Sequence, residues 1–375
     1  MGMVGGGRGA FIGAVHRMAA ALDGEIELVC GAFSSNPELS AASGADLHLP
    51  PNRVYGSFAD MILMEKQLPE GERMDFVSIV TPNHVHFAPA KMALENGFHV
   101  VCDKPLAFDF EQAVALEKLV NETGLVFALT HNYTGYPMVK QARAMIRGGE
   151  LGKIRRIIVE YPQGWLSTAL EKTDRKQAHW RTDPTKSGIV GAIGDIGTHA
   201  ENLAEYITGL DIKRLYAQLN TFVEGRQLDD DGVVLLEFEG GARGILFASQ
   251  ICAGEENNLN IRIYGERGGL EWHQMEPNSL TVKWLDKPTQ VYRTNSLALD
   301  PASLAAARIP AGHPEGYLEA FANVYRNFAK TLQARMSGEV ENSLLDYPSV
   351  SDGVRGMNFI YKVVESNEKQ KWVDV

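Results

Sequence analysis

Along the first third of the chain, short runs of apolar and β-branched residues alternate with stretches whose apolar positions recur every three or four residues. The runs predict strands over Met1–Val4, Ile26–Phe33, Phe76–Val80, His99–Cys102 and Val126–Leu129. The periodic stretches predict helices over Ala10–Leu22, Phe58–Glu65, Ala88–Asn96 and Phe110–Thr123, with Gly97 and Gly124 as carboxyl-terminal caps. Strand and helix in regular alternation specify a parallel sheet with crossover helices. The first strand is short for such a sheet and reads as a clipped or misassigned start.

After Tyr133 the rhythm changes. One helix, Met138–Arg147, precedes longer strands at Ile154–Tyr161, Leu215–Phe222, Val233–Phe238, Gly244–Ser249, Leu259–Tyr264 and Leu280–Trp284. Successive strands without intervening helices predict a mostly antiparallel sheet. Helices over Asp195–Thr208, Pro314–Ser337 and Val350–Asn367 complete the pattern, with no internal repeat and no low-complexity linker. Two domains follow, residues 1–131 and 132–375.

The composition agrees with two separate cores: 375 residues, 45% hydrophobic and 22% charged. A net charge of -11 without a basic block argues against a nucleic-acid or anionic-membrane partner and for a small-molecule substrate. Cys30, Cys102 and Cys252 are odd in number and lack CxxC spacing, so they read as buried thiols of a reducing compartment. Arg8, His16 and Arg17 interrupt the first apolar stretch, Gly6 stands where a myristoylation site needs Ser or Thr, and no window reaches the roughly 20 apolar residues of a membrane span. The expected location is the cytoplasm.

The candidate chemistry begins at the glycine run Gly5-Gly6-Gly7-Arg8-Gly9, which follows the first strand and opens the first helix. Such a strand, turn and helix cradle a pyrophosphate, with Gly5 for the turn, Gly7 for close approach and Ala10 for packing in the form G-x-G-x-x-A. A carboxylate at the end of the second strand would bond the ribose 2'-hydroxyl of NAD, but the chain there reads Ser34-Ser35-Asn36. No Lys or Arg lies between Gly31 and Asn52 to pair with the phosphate of NADP, and Arg8 is the nearby cation from another loop. The expected cofactor is NAD in preference to NADP.

Thr81-Pro82-Asn83-His84-Val85-His86 and His99-Val100-Val101-Cys102-Asp103-Lys104-Pro105 resemble motifs of the Gfo/Idh/MocA oxidoreductases. Gly194-Asp195-Ile196-Gly197-Thr198-His199 and the segment Tyr264-Gly265-Glu266-Arg267-Gly268-Gly269 resemble that family's second-domain motifs, in the same order along nearly the whole chain. The resemblance implies an α/β fold: an N-terminal Rossmann domain and a C-terminal α/β domain on a large, mostly antiparallel open sheet. It implies a sugar or cyclitol dehydrogenase, with Lys104 as the catalytic lysine, Asp195 and His199 beside the reacting hydroxyl, and Pro82-Asn83 under the nicotinamide. The cofactor-binding set is expected to comprise Gly5, Gly7, Arg8, Ala10, Phe11, Ile12, Ser34, Ser35, Thr81, Pro82, Asn83, His86, Asp103 and Lys104. Two departures from the family pattern stand out. Asp103 replaces the usual Glu, and Gly9-Ala10-Phe11 reads as an insertion that leaves the third glycine role open between Ala10 and Gly13.

Oxidising a secondary alcohol removes a hydride and a proton together, so a base must face the hydroxyl while the carbon faces the nicotinamide. A lysine partly desolvated beside a positively polarised ring is suited to that work. Asp195 and His199, four apart on a helix, share one face. Asn132, Tyr133, Tyr136, Trp165, His179, Trp180, Arg181 and His313 are candidates for holding a ring and its hydroxyls, and Arg181 for holding an anionic substituent. His84-x-His86 lacks further ligands and Asp229-Asp230-Asp231 reads as a solvated turn, so no metal site is expected. Two further activities fit the resemblance: an NAD-dependent glycosidase that oxidises a ring carbon transiently and eliminates the aglycone, and a non-catalytic cofactor sensor. It also implies a homo-oligomer formed through the second sheet.

Overall fold

The computed structural model describes all of residues 1–375, which fall into two units. The first comprises Met1–His131 with Phe321–Val354, and the second Asn132–Ala320 with Arg355–Val375.

In the first unit β1 (Gly2–Gly5), α1 (Phe11–Ala21), β2 (Cys30–Ala32), α2 (Pro37–Asp46), α3 (Phe58–Glu65), β3 (Phe76–Val80), α4 (Phe87–Glu95), β4 (His99–Cys102), α5 (Phe110–Thr123) and β5 (Phe127–Leu129) follow one another. The strands pair in parallel in the order β2-β1-β3-β4-β5. Every residue of β3 is buried, which explains an apolar run there rather than an alternating one. The strand order reverses between β1 and β3, and a ligand crevice in such a sheet opens beyond the carboxyl ends at that reversal. There Gly5 pairs with Val80, and the chain turns into residues 6–9 and 81–83.

Two local differences from expectation have simple causes. The strand predicted over Ile26–Phe33 is confined to Cys30–Ala32, because β1 begins at Gly2 and the preceding residues have only Met1 to bond: Val29 N–H donates to its carbonyl. The helix α2 was not anticipated, since its sequence PELSAASGAD has no apolar stripe. It is started instead by Asn36, whose side chain accepts from Leu39 N–H, and by Pro37 at its first position.

The second unit contains α6 (Pro137–Arg147), β6 (Arg156–Pro162), α7 (Lys176–Arg181), α8 (Pro184–Ser187), α9 (Thr198–Thr208), β7 (Ile212–Asn220), β8 (Asp231–Phe238), β9 (Arg243–Ser249), β10 (Asn260–Tyr264), β11 (Gly268–His273), β12 (Ser279–Trp284), β13 (Gln290–Arg293) and α10 (Pro301–Ala305). With β14 (Val373–Asp374) they form a nine-stranded sheet, β13-β12-β11-β10-β6-β9-β8-β7-β14. Only β6 and β9 run parallel; every other neighbouring pair is antiparallel. Ile157, Val159 and Tyr161 of β6 are buried while alternate residues are more exposed, and α6 and α9 pack on the sheet. The helix predicted over Asp195–Thr208 is α9 preceded by a wider π turn, Ile193–Gly197.

The last long helices are α11 (Tyr317–Ser337) and α12 (Val350–Lys369). The expected single cut at 131/132 does not describe the chain, because Phe321–Val354 returns to the first unit. The reason is an apolar stripe on α11. Phe321, Tyr325, Phe328 and Leu332 are buried, with the Phe328 ring 4.9 Å from Phe76 and the Phe321 ring 4.7 Å from His16. Beyond the helix, Leu129 N–H of β5 donates to the Pro348 carbonyl. No helix is long and apolar enough to cross a membrane.

Candidate active site

The glycine run works by steric exclusion. A Cβ on Gly7 would lie 2.7 Å from Ser43 Oγ and 2.8 Å from the Phe33 carbonyl oxygen, to which Gly7 N–H donates. Gly13, in the first turns of α1, lies against Gly6: a Cβ on Gly6 would come within 2.8 Å of the Gly13 Cα, and one on Gly13 would overlap Gly6. Gly13 therefore provides the close helix-to-loop contact, and Ala10 only precedes the helix. The amino end of α1 has neither a side-chain cap nor an acidic residue in its first turn, a feature it shares with α4, whereas α2, α3 and α5 are capped by Asn36, Ser57 and Asp109. An uncapped helix end above a glycine cradle fits the pyrophosphate of a dinucleotide. Phe11 is exposed there, Ser34 and Ser35 follow β2, and the Arg8 side chain is held by Asp46.

At the carboxyl ends of β3 and β4 the chain builds a second group. Lys104 is half-buried, and its backbone N–H donates to Asp103 Oδ1 at 3.0 Å, which also accepts from the Thr130 hydroxyl at 2.8 Å. Burial alone would raise the Asp103 pKa, but His16, Lys104, His86 and the Thr130 bond hold the carboxyl below its usual range. His16 is fully buried, its Nε2 3.9 Å from Asp103 Oδ1 and its Nδ1 2.7 Å from Tyr325 Oη, which in turn lies 2.7 Å from Ser78 Oγ. Burial lowers the His16 pKa to about 4, so the ring is neutral at neutral pH. Asn83 is buried at the start of a short turn. His86 is buried with its two nitrogens 2.8 Å from the Thr81 and Pro105 carbonyl oxygens. Burial lowers the pKa of the ring, and the neutral imidazole donates from one nitrogen to one of these two carbonyls, which holds a strand-end loop in place.

In the second unit the focus is Asp195, in the π turn; such turns recur at functional sites. Its Oδ2 accepts from Arg181 Nε at 3.0 Å and from Gln250 Nε2 at 2.7 Å. Arg181 also donates to Gln177 and places its guanidinium 4.2 Å over the Trp180 ring and 5.8 Å from Trp165. Arg181 is thus committed to a carboxylate, an amide and two indoles, not held in reserve for an anionic substituent. His199 is buried edge-on to Tyr133, with ring centroids 4.8 Å apart. Tyr133 Oη lies 2.5 Å from Tyr161 Oη, and Asn257 accepts from Tyr161 and donates to Tyr133. Burial raises the pKa of both phenols.

The acidic triplet is not the solvated turn expected. Asp229 and Asp230 are buried because each carboxylate takes backbone amides. Asp229 accepts from Gly191 N–H at 2.6 Å and Ile193 N–H at 2.9 Å, fixing the entry to the π turn, and burial raises its pKa to about 6. Asp230 accepts from Phe222 and Val223 N–H and pairs with Arg226. Asn132 and Tyr136 are buried with Tyr133 in the segment that leads into α6. His179 and His313 are exposed and bond to the Thr173 and Pro310 carbonyls, so neither joins the Asp195 cluster.

Gln250, Asn257, Tyr161, Gln163 and Asp229 were missed from the sequence. One signal was available for some of them. β6 and β9 end in Tyr161-Pro162-Gln163 and Ser249-Gln250, polar breaks after apolar strands, and their parallel pairing puts both ends at one edge.

Residues 1–144 match the oxidoreductase family with NAD-binding Rossmann fold, and residues 139–271 match the GFO/IDH/MocA C-terminal domain. The chain is 34% identical to an uncharacterized oxidoreductase, YfiI, of Bacillus subtilis over 99% of its length and 95% of the relative's. It is 26% identical to levoglucosan dehydrogenase of Pseudarthrobacter phenanthrenivorans, over 100% of this chain and 97% of that one. An inositol dehydrogenase homolog from Azotobacter vinelandii complexed with NAD+ superposes with a TM-score of 0.95 at 38% identity, covering 100% of this chain and 96% of that one. The same homolog complexed with NADH and myo-inositol gives 0.92 at 37%, covering 100% and 97%.

Proposed function

This chain belongs to the Gfo/Idh/MocA oxidoreductases, and on that premise we propose that it transfers a hydride between NAD and a ring carbon bearing a hydroxyl, in a cyclitol or sugar. The observation that carries the reading is Asp195, a carboxylate fixed by Arg181 and Gln250 on the turn that leads to His199. It is supported by likeness along the whole chain to a protein whose structure holds NADH and myo-inositol. A nicotinamide held beside the glycine run would supply the hydride acceptor in oxidation and the donor in reduction. Lys104 Nζ accepts the hydroxyl proton in oxidation and returns it in reduction, Asp195 orients the hydroxyl, and His199 carries the proton onward. Asp103 and His86 hold the loops at the ends of β3 and β4.

Purified protein supplied with NAD should form NADH with a member of a panel of inositols and pyranoses. Lys104→Ala should lower kcat/KM by at least about a hundredfold, a larger change than any loss of NAD affinity. Full turnover in that variant removes the assignment of Lys104, and aglycone release from a nitrophenyl glycoside without net NADH would make the protein a glycosidase instead.

The outer face of the second sheet exposes Val233 and Leu235 on β8, which pair in register with Phe247 and Ile245 of β9. We assign this face to contact between copies of the chain. Val233→Arg should lower the mass measured by light scattering; an unchanged mass rejects that interface.

A further inference from the structure

We propose that Asp46 sets the preference of the dinucleotide site for NAD over NADP, by occupying Arg8 from the end of α2. The proposal rests on the reading of the glycine run as a dinucleotide site.

In sites that discriminate by charge, a carboxylate at the end of the second strand bonds the ribose 2'-hydroxyl and repels a 2'-phosphate. Here β2 ends at Ala32, and residues 33–36 carry no charge. Between Gly31 and Asn52 the charged residues are Glu38 and Asp46, with His48 nearby, and there is no Lys or Arg. Of the two arginines close to the loop, Arg17 is half-buried and donates to the Gly6 carbonyl. Arg8 is the cation that a 2'-phosphate would recruit, since its planar fork matches phosphate oxygens.

That fork is already engaged. Arg8 Nε donates to Asp46 Oδ2 at 2.5 Å and Nη2 to Oδ1 at 2.6 Å, a two-pronged pair. The Arg8 backbone N–H donates to Ser43 Oγ at 3.0 Å, and Ser43 lies three residues before Asp46, on the same side of α2. Backbone and side chain are therefore tethered to one helix face, and this fixes the pair in register. Asp46 is held below the usual carboxylate range by Arg8, so it remains ionised at neutral pH.

The consequence for the two cofactors differs. NADP would have to displace Asp46 from Arg8 and then share the space with a carboxylate. NAD presents only a hydroxyl, which a carboxylate tolerates or accepts from. The charge missing from the end of β2 is thus supplied from the far end of the following helix, and the one available cation is neutralised by it. Both side chains are 52% exposed, so the pair contributes little to the stability of the fold.

The experiment titrates NAD and NADP separately into wild type, Asp46→Asn, Arg8→Ala and the double variant, following heat or intrinsic fluorescence. Wild type should bind NAD more tightly. Asp46→Asn should raise NADP affinity about tenfold and change NAD affinity by no more than about threefold, the order expected when an exposed ion pair gives way to a charge-assisted bond with phosphate. The gain should vanish in the double variant. An unchanged ratio of NADP to NAD affinity in Asp46→Asn overturns the proposal, and so does a gain that persists without Arg8. Failure of wild type to bind either dinucleotide would instead overturn the cofactor site itself.

Discussion

The glycine loop of the first unit and the Asp195 cluster of the second constrain their surroundings by opposite means. In the loop the requirement is an absence of atoms, since Gly7 abuts the Phe33 carbonyl and Gly13 abuts Gly6. In the cluster it is a presence of polar atoms drawn from distant segments: Arg181 from α7, Gln250 from beyond β9, and Asp229 ahead of β8 to fix the turn. A steric contact with backbone has no means of relaxing, whereas a hydrogen-bonded cluster loses function by steps as donors are removed. The two regions should therefore answer differently to substitution.

The largest effect is expected at Gly13→Val. Its side chain meets Gly6 backbone, not the movable end of another side chain, so α1 must shift. A loss of about 3 kcal/mol in urea unfolding, with NAD binding abolished, is the expected outcome. A Gly13→Val protein that binds NAD normally would mean that the loop accommodates added atoms as readily as the cluster accommodates lost ones.

Next comes Asp229, where the sign of the pH dependence tests the cluster. The carboxyl has a pKa of 3.8 when unfolded and about 6 when folded, so the folded state binds the proton more tightly. Its contribution to stability is greatest below the unfolded value and falls as the pH rises through the folded one, by about 2–3 kcal/mol in all. Asp229→Asn does not titrate. The stability difference, wild type minus variant, should therefore shrink between about pH 4 and about pH 6 in parallel urea titrations. A difference that stays flat, or grows, means the buried carboxylate is stabilised by the Gly191 and Ile193 amides more than burial opposes it.

The smallest effect belongs to Arg181→Lys, which keeps the charge but loses the planar fork that reaches Asp195 and Gln177 while stacking on Trp180. kcat/KM should fall about tenfold with little change in Tm. A collapse as complete as that expected of Lys104→Ala would show that the cluster does not degrade by steps.

The same contrast explains what the sequence revealed. β3 and β4, α3 and α5 fall where the apolar pattern puts them, and the glycine run, Lys104 and Asp195 are recognisable because their signals lie within a few residues. The α2 helix escaped notice because its small polar residues carry no stripe, yet it bears Asp46. The strand β11 was likewise not among those expected, since it opens on Gly268-Gly269, which carry no apolar signal. Arg181 and Gln250 stand 14 and 55 residues from Asp195, separations that no local spacing encodes. The acidic triplet misled for a physical reason: three adjacent carboxylates look solvated until the amides that bury two of them are known.

The returning segment Phe321–Val354 bears on how the protein is made. His16 meets Tyr325 across 309 residues, and Glu117 meets Ser351 across 234. On the ribosome the first unit therefore remains without part of its core until almost the whole chain has emerged, and closing such contacts is entropically costly and slow. A fragment ending at His131 would leave His16 and Ser78 without their shared phenol. Exchange of cofactor units between relatives must accordingly move two intervals of chain together, since the unit that nature inherits here is not a prefix that can be cut away.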